Sequence, residues 1–150
     1  MKNIKKSNIN LLLIRNSFIL LLLFFLTSCA GTGNKSLNRS ELDTSRGNVK
    51  MFIYRESAFV CSGCLATVSL NARQIGKLGN NEYISSILTS NSNTLKVETT
   101  GLQGIGIKDD TKRFTKTNSN SYFLVEYDMK LFSAGWEIVE ITKNEFESKF

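Results

Sequence analysis

From residue 49 onward, short apolar runs alternate with clusters of Asn, Ser, Thr and Gly, and the runs have the length of strands. Residues 49–54 (VKMFIY) are β-branched and aromatic and predict a strand, which Arg55-Glu56-Ser57 ends. Residues 65–70 (LATVSL) predict a second, with Ala66, Val68 and Leu70 on one face. A turn at 71–73 precedes a short strand at 74–78. Gly79-Asn80-Asn81 is a strong turn signal before a strand at 83–88. A polar loop at 89–93 leads to a strand at 94–99 with Leu95 and Val97 inward. Residues 102–110 are Gly-rich and read as irregular, 113–117 as an edge strand and 118–121 as a turn. Residues 122–127 (YFLVEY) are the most strand-like stretch of the chain. Residues 136–141 close the series, with Trp136, Ile138 and Glu140 alternating against Glu137, Val139 and Ile141. Thr142 and Glu145 then have the spacing of a capping box, and Phe146 and Phe150 sit four apart on one face of the short helix it predicts. Many short strands separated by turns predict an all-β fold, a small β-sandwich or an open barrel, with a short C-terminal helix.

The first 48 residues follow other rules. Lys2, Lys5 and Lys6 form a basic start, and residues 18–26 are an unbroken run of Phe, Ile and Leu, too short to span a bilayer. Leu26-Thr27-Ser28-Cys29 then resembles the bacterial lipobox, in which small residues in an extended segment precede a thiol that receives diacylglycerol. Residues 1–28 read as a lipoprotein signal peptide, and Cys29 as the lipidation site. Ala30 stands where inner-membrane retention signals usually carry Asp, which favours an outer-membrane anchor facing the periplasm. Residues 29–48, rich in Gly, Ser, Asn and charge, read as the lipidated Cys and a flexible tether. The folded domain is expected over 49–150.

Composition narrows the chemistry. The chain has 150 residues, no His, no Pro and three Cys. Without His there is no Ser-His-Asp or Cys-His catalysis, and three Cys are too few for a self-contained all-cysteine zinc site. The net charge is +6. Lys2, Lys5, Lys6 and Arg15 supply four of the basic residues; without them 15 basic face 13 acidic residues, a net of +2. So near-neutral a body has little electrostatic footprint for nucleic acid, and no nucleic-acid partner is expected. Gly101, Gly104 and Gly106 lack the Lys-Ser/Thr pair of a phosphate loop. Asp109-Asp110, among Lys108, Lys112 and Arg113, reads as a solvated turn. Trp136 and Tyr122 read as core rather than as a ligand platform.

One pair retains chemical potential. Cys61-Ser62-Gly63-Cys64 suits a local disulfide, a soft-metal site for Cu(I) or a redox dithiol. A thioredoxin-like site needs a cis-Pro, which this chain lacks. A Cu(I) site of the heavy-metal-associated kind needs a helix after the second Cys. Leu65, Val68, Ala72, Ile75 and Gly79 have near-helical spacing, but Thr67, Val68, Asn71 and Gly76 disfavour a helix. An exported compartment favours the disulfide.

The order of these elements resembles the small bacterial lipoproteins that carry domain of unknown function 2846. The resemblance covers 49–141 and rests on Phe52-Ile53-Tyr54-Arg55-Glu56, the 71–78 hairpin with Gly76 and Leu78, Tyr83 in its strand, and the Tyr-rich 122–127. Glu56 stands where that family usually has Pro, and Ser90-Asn91-Ser92-Asn93 replaces its Pro-Gly turn. The resemblance implies a small β-sandwich, immunoglobulin-like or similar, and no catalytic residues. The expected function is that of a non-catalytic binding or structural module, with no cofactor. The module meets the membrane through Cys29 and an envelope protein or peptidoglycan-associated partner through its body, where an edge strand over 112–117 could accept a partner strand. The alternative is a soft-metal or thiol redox protein using Cys61 and Cys64.

Overall fold

The computed structural model describes residues 31–44, 48–100, 105–130 and 133–150. The expected signal peptide and Cys29 lie outside these residues. Nine strands follow in order: β1 Lys50–Arg55, β2 Ala66–Leu70, β3 Arg73–Leu78, β4 Glu82–Ile87, β5 Ser92–Thr99, β6 Ile107–Lys108, β7 Asp110–Thr115, β8 Ser121–Lys130 and β9 Ser133–Ile141. A helix, α1 Lys143–Glu147, ends the chain. The strands form two sheets, ordered β4-β1-β8-β9-β6 and β3-β2-β5-β7. The all-β sandwich with a short C-terminal helix is therefore the fold, and β7 is an edge strand as expected. The region after Cys64 is strand, not helix.

Alternation along the strands builds two cores. Met51 and Ile53 of β1 and Phe123 and Val125 of β8 point between the sheets, against Val68, Leu78, Leu95, Val97, Trp136 and Ile138. The intervening residues of the same strands, Phe52, Tyr54, Tyr122 and Leu124, are buried on the opposite face with Tyr83, Leu42 and Phe146. β1 and β8 are thus covered on both faces, which explains why their sequences are solid apolar runs without alternation. They pair in parallel, Phe52 beside Tyr122 and Tyr54 beside Leu124.

The cover on the outer face has two parts. One is α1, whose capping box forms as expected: Glu145 N–H donates to Thr142 Oγ1 at 3.2 Å, and Thr142 N–H to Glu145 Oε2 at 2.7 Å. The Thr142 N–H, with a contribution from the Thr142 side chain, holds the Glu145 carboxyl below its usual range. The other part corrects the expected tether over 29–48. Residues 31–44 pack on the domain: Thr32 N–H donates to Lys77 O, and Asn34 exchanges backbone hydrogen bonds with Tyr83, all at 2.8 Å. Arg39–Leu42 then forms a 3₁₀ turn that buries Leu42. Polar composition suggested a solvated chain, but paired backbone needs no apolar side chains to be held. Gly33 also lets the segment lie flush, since a Cβ there would come within 2.8 Å of Glu82 and Leu78 side chains. The compact unit that holds the sandwich accordingly spans Gly31–Phe150, which takes in eighteen residues ahead of the expected boundary.

Smaller departures are local. Residues 107–108 and 110–112 are strand where 102–110 was expected to be irregular and the edge strand to begin at 113. β8 and β9 extend to Lys130 and Ser133, beyond the apolar runs that predict them. The β2–β3 connection is a two-residue turn, with Asn71 at φ 51° and Ala72 at φ 65°. Such mirror-image turns match the twist of the strands and usually carry Gly at the second position. Ala72→Gly is expected to stabilise the domain by about 0.5–1 kcal/mol, as relief of the left-handed backbone outweighs the added chain entropy. A rise in the urea midpoint checks this, and a fall would refute it.

Candidate functional site

The Cys61–Cys64 pair lies in the loop that leaves β1 after Arg55 and enters β2 at Ala66. A turn brings the two cysteines together: Cys64 N–H donates to Cys61 O at 2.9 Å, and Cys61 adopts φ 64°. Their Cα atoms are 5.0 Å apart and the sulfurs are joined as a disulfide, a separation within the ordinary range for such a bond. Among the described residues, no group of three or more His, Cys, Asp or Glu is placed to hold a metal ion.

What holds this loop is Arg55, the last residue of β1. Sequence reasoning gave it only the role of ending a strand, because a cation at the end of an apolar run ordinarily marks solvent. Here Arg55 is fully buried. Alternation along β1 turns its side chain to the same face as Met51 and Ile53, toward the space between the sheets. Its Nη1 donates to the carbonyl oxygens of Cys64 and, at 3.0 Å, Leu78; its Nη2 donates to Cys61 O at 3.0 Å. The guanidinium carbon lies 4.9 Å from the centroid of the Trp136 ring, a cation–π contact. Both cysteines of the pair are therefore tied through their backbone carbonyls to one buried cation.

Electrostatics fit this reading. Burial lowers the Arg55 pKa from its ordinary value to about 10, opposed by the carboxylate of Glu82, its partner across the β1–β4 ladder. The group stays charged at neutral pH. Glu82 is itself buried and accepts from Gly79 N–H at 2.8 Å, which fixes the 79–81 turn beside Leu78. Trp136 is 5% exposed, and its indole N–H donates to Thr99 Oγ1 at 2.8 Å. Tyr122 is likewise buried, so neither aromatic offers a surface platform.

The other acidic residues singled out by sequence have structural partners. Asp109 pairs with Lys96 at 3.0 Å. Asp110 is more than a solvated turn: its Oδ2 accepts from Ile138 N–H at 2.8 Å, joining the start of β7 to β9 across the two sheets. Arg55 and Asp110 escaped sequence reasoning because each reaches backbone groups more than twenty residues away, Leu78 O and Ile138 N–H, and Glu82 because its burial beside Arg55 is decided by strand pairing. The one available signal was the buried-strand pattern of 49–54, which carries inward-facing alternation one residue further than the apolar run.

The disulfide closes a loop of four residues, so the chain-entropy model gives it about 2 kcal/mol. The Cys61→Ser/Cys64→Ser double variant is expected to lose about that much in a denaturant titration and to keep the native fold, since Arg55 still holds the loop carbonyls. A much larger loss would mean that the bond, and not Arg55, organises the loop. No family model, no curated protein and no solved structure matches this chain.

Proposed function

We propose that this protein is a lipid-anchored module of the bacterial cell envelope, held in the outer membrane through Cys29 and facing the periplasm, which acts by binding or architecture and not by catalysis. One observation carries the non-catalytic part. The sole constellation with chemical potential, Cys61 and Cys64, is a disulfide whose flanking carbonyls are engaged by a buried arginine. That arrangement immobilises a loop; it presents no acid, base or nucleophile to a substrate. The anchoring part rests on Leu26-Thr27-Ser28-Cys29 behind a basic, apolar leader. The likeness of 49–141 to lipoproteins with domain of unknown function 2846 supports the same setting. The partner is an envelope protein or a peptidoglycan-associated component, and the unpaired side of edge strand β7 offers it a strand to add to.

Cys29→Ala in the full chain tests the anchor. The native chain is expected to lose residues 1–28, gain the mass of its acyl groups and fractionate with membranes. The variant is expected to keep its leader and gain no acyl mass. Identical masses and fractionation for both would sink the reading. The same preparation separates architecture from metal handling: one Cu(I) per reduced chain, lost in Cys61→Ser, would replace the structural role of the pair with a soft-metal site.

A further inference from the structure

We propose that the end of the sandwich bearing the Cys61–Cys64 loop rests against the membrane, with Phe59, Val60, Ile105 and Met129 seated in the headgroup–acyl boundary. This rests on acylation at Cys29 as proposed above, and adds which face of the domain the anchor brings down and what that face does there.

The strand register defines the two ends. β1 finishes at Arg55, opposite Glu82, where β4 begins. β8 runs parallel to β1 and passes that level to reach Lys130, opposite Ser133 of β9. Ala66 of β2 pairs with both Leu78 and Thr99, so β3 and β5 finish at this end too. β6 pairs in parallel with the start of β9, which places Ile105 and Gly106, just before β6, at the same end.

The ends differ in character. Among the described residues, four of the six exposed large apolar side chains belong to this one: Phe59 at 99% exposure, Ile105 at 78%, Met129 at 61% and Val60 at 43%. They come from three separate segments. The opposite end presents Asn71-Ala72, Ser90-Asn91 and Asn118-Ser119-Asn120, with Ile87 as its single large exposed apolar side chain among the described residues. Single exposed apolar residues are ordinary, but three tips converging on one end of a small domain make a non-polar surface. Arg55 and the disulfide hold the Phe59 loop, so its tip needs little further ordering on insertion. Three of the acidic groups at this end, Glu56, Asp109 and Asp128, each pair with a lysine at 2.7–3.0 Å, which lessens their repulsion from anionic headgroups.

The chain's entry point supplies the occupant. A Cβ on Gly31 would fall 2.6 Å from Gly79 N and nearer still to the Glu82 carboxylate, so Gly31 sits at this same end. Cys29 is two residues earlier, and two residues reach at most about 7 Å. The backbone pairing of Thr32 and Asn34 leaves no slack beyond that point. An acyl chain on Cys29 therefore holds this end, and not the polar one, at the bilayer surface, where apolar tips gain by leaving water.

The test uses the full chain, processed in a Gram-negative host and reconstituted in phosphatidylethanolamine–phosphatidylglycerol vesicles containing nitroxide-labelled lipid. Phe59→Trp and Asn91→Trp place exposed reporters at opposite ends, over the same buried Trp136 background. Blue-shifted and quenched emission is expected for Phe59→Trp alone. With acylation verified by intact mass, water-like emission from Phe59→Trp, or equal quenching of both reporters, would overturn the seated orientation and leave the anchor standing. A chain without acyl mass would overturn the anchor and the orientation together.

Discussion

Arg55→Met is expected to destabilise the domain by about 3–5 kcal/mol. Met keeps much of the buried volume, so the loss isolates the guanidinium's hydrogen bonds. Three carbonyls, those of Cys61, Cys64 and Leu78, lose their donor at once. Each unsatisfied buried acceptor costs about 1–3 kcal/mol, and partial opening of the loop to water keeps the sum below the additive limit. Replacing a buried ion pair by apolar residues is often harmless because both partners go; here the partners are backbone and stay. A melting-temperature drop of roughly 10 °C or more is the corresponding thermal readout. Arg55→Lys is expected to recover only part of the loss, because an ammonium cannot span three acceptors held in a planar fork. Amide exchange should rise across 56–65 in both variants. An unchanged denaturation midpoint for Arg55→Met would refute the clasp.

The pH dependence of this group has a definite sign. Its folded pKa, about 10, lies below the ordinary guanidinium value, so burial of the charge opposes folding at neutral pH and that opposition is relieved only as pH rises above about 10. The stabilisation comes from the hydrogen bonds and packing, not from the charge itself.

Phe146→Ala is expected to cost about 3–5 kcal/mol, as for other large-to-small changes at fully buried aromatics. Phe146 is wholly inaccessible to solvent, and its ring lies 5.3–6.5 Å, centroid to centroid, from Phe52, Tyr54, Tyr83, Tyr122 and Phe150. α1 spans five residues, far too few to persist on helix propensity alone. Losing Phe146 should therefore release the helix and uncover Phe52 and Tyr122. Lost amide protection over 143–150, together with a lowered midpoint, checks both consequences. Phe150→Ala, at a residue 45% exposed, should cost clearly less. Equal effects at the two positions would mean that the cap is held elsewhere.

How far the sequence was legible depends on the range over which each feature is decided. The 122–127 run, the Gly79-Asn80-Asn81 turn and the Thr142–Glu145 capping box are set by neighbours within a few residues, and each forms where it was expected. The solid apolar runs of β1 and β8 also held an unread message: strands without alternation need cover on both faces. That cover comes from 31–44 and α1, and Leu37 and Leu42 were the faint apolar marks of the first. The spacing of Cys61 and Cys64 made a disulfide one of the readings open to the pair, and the structure joins them so. Its fastening was not legible, because the carbonyls that Arg55 binds carry no sequence signature.

The sequence by itself determined the strand and turn pattern, the all-β class and the C-terminal cap, because alternation, turn chemistry and capping act between near neighbours. Only the tertiary structure decided that β1 and β8 lie side by side in parallel, that the supposed tether is packed from Gly31, and that Arg55 is buried. Those outcomes depend on groups brought together from tens of residues apart. Much of that contact is made by backbone N–H and C=O, which every residue possesses and which no residue type announces.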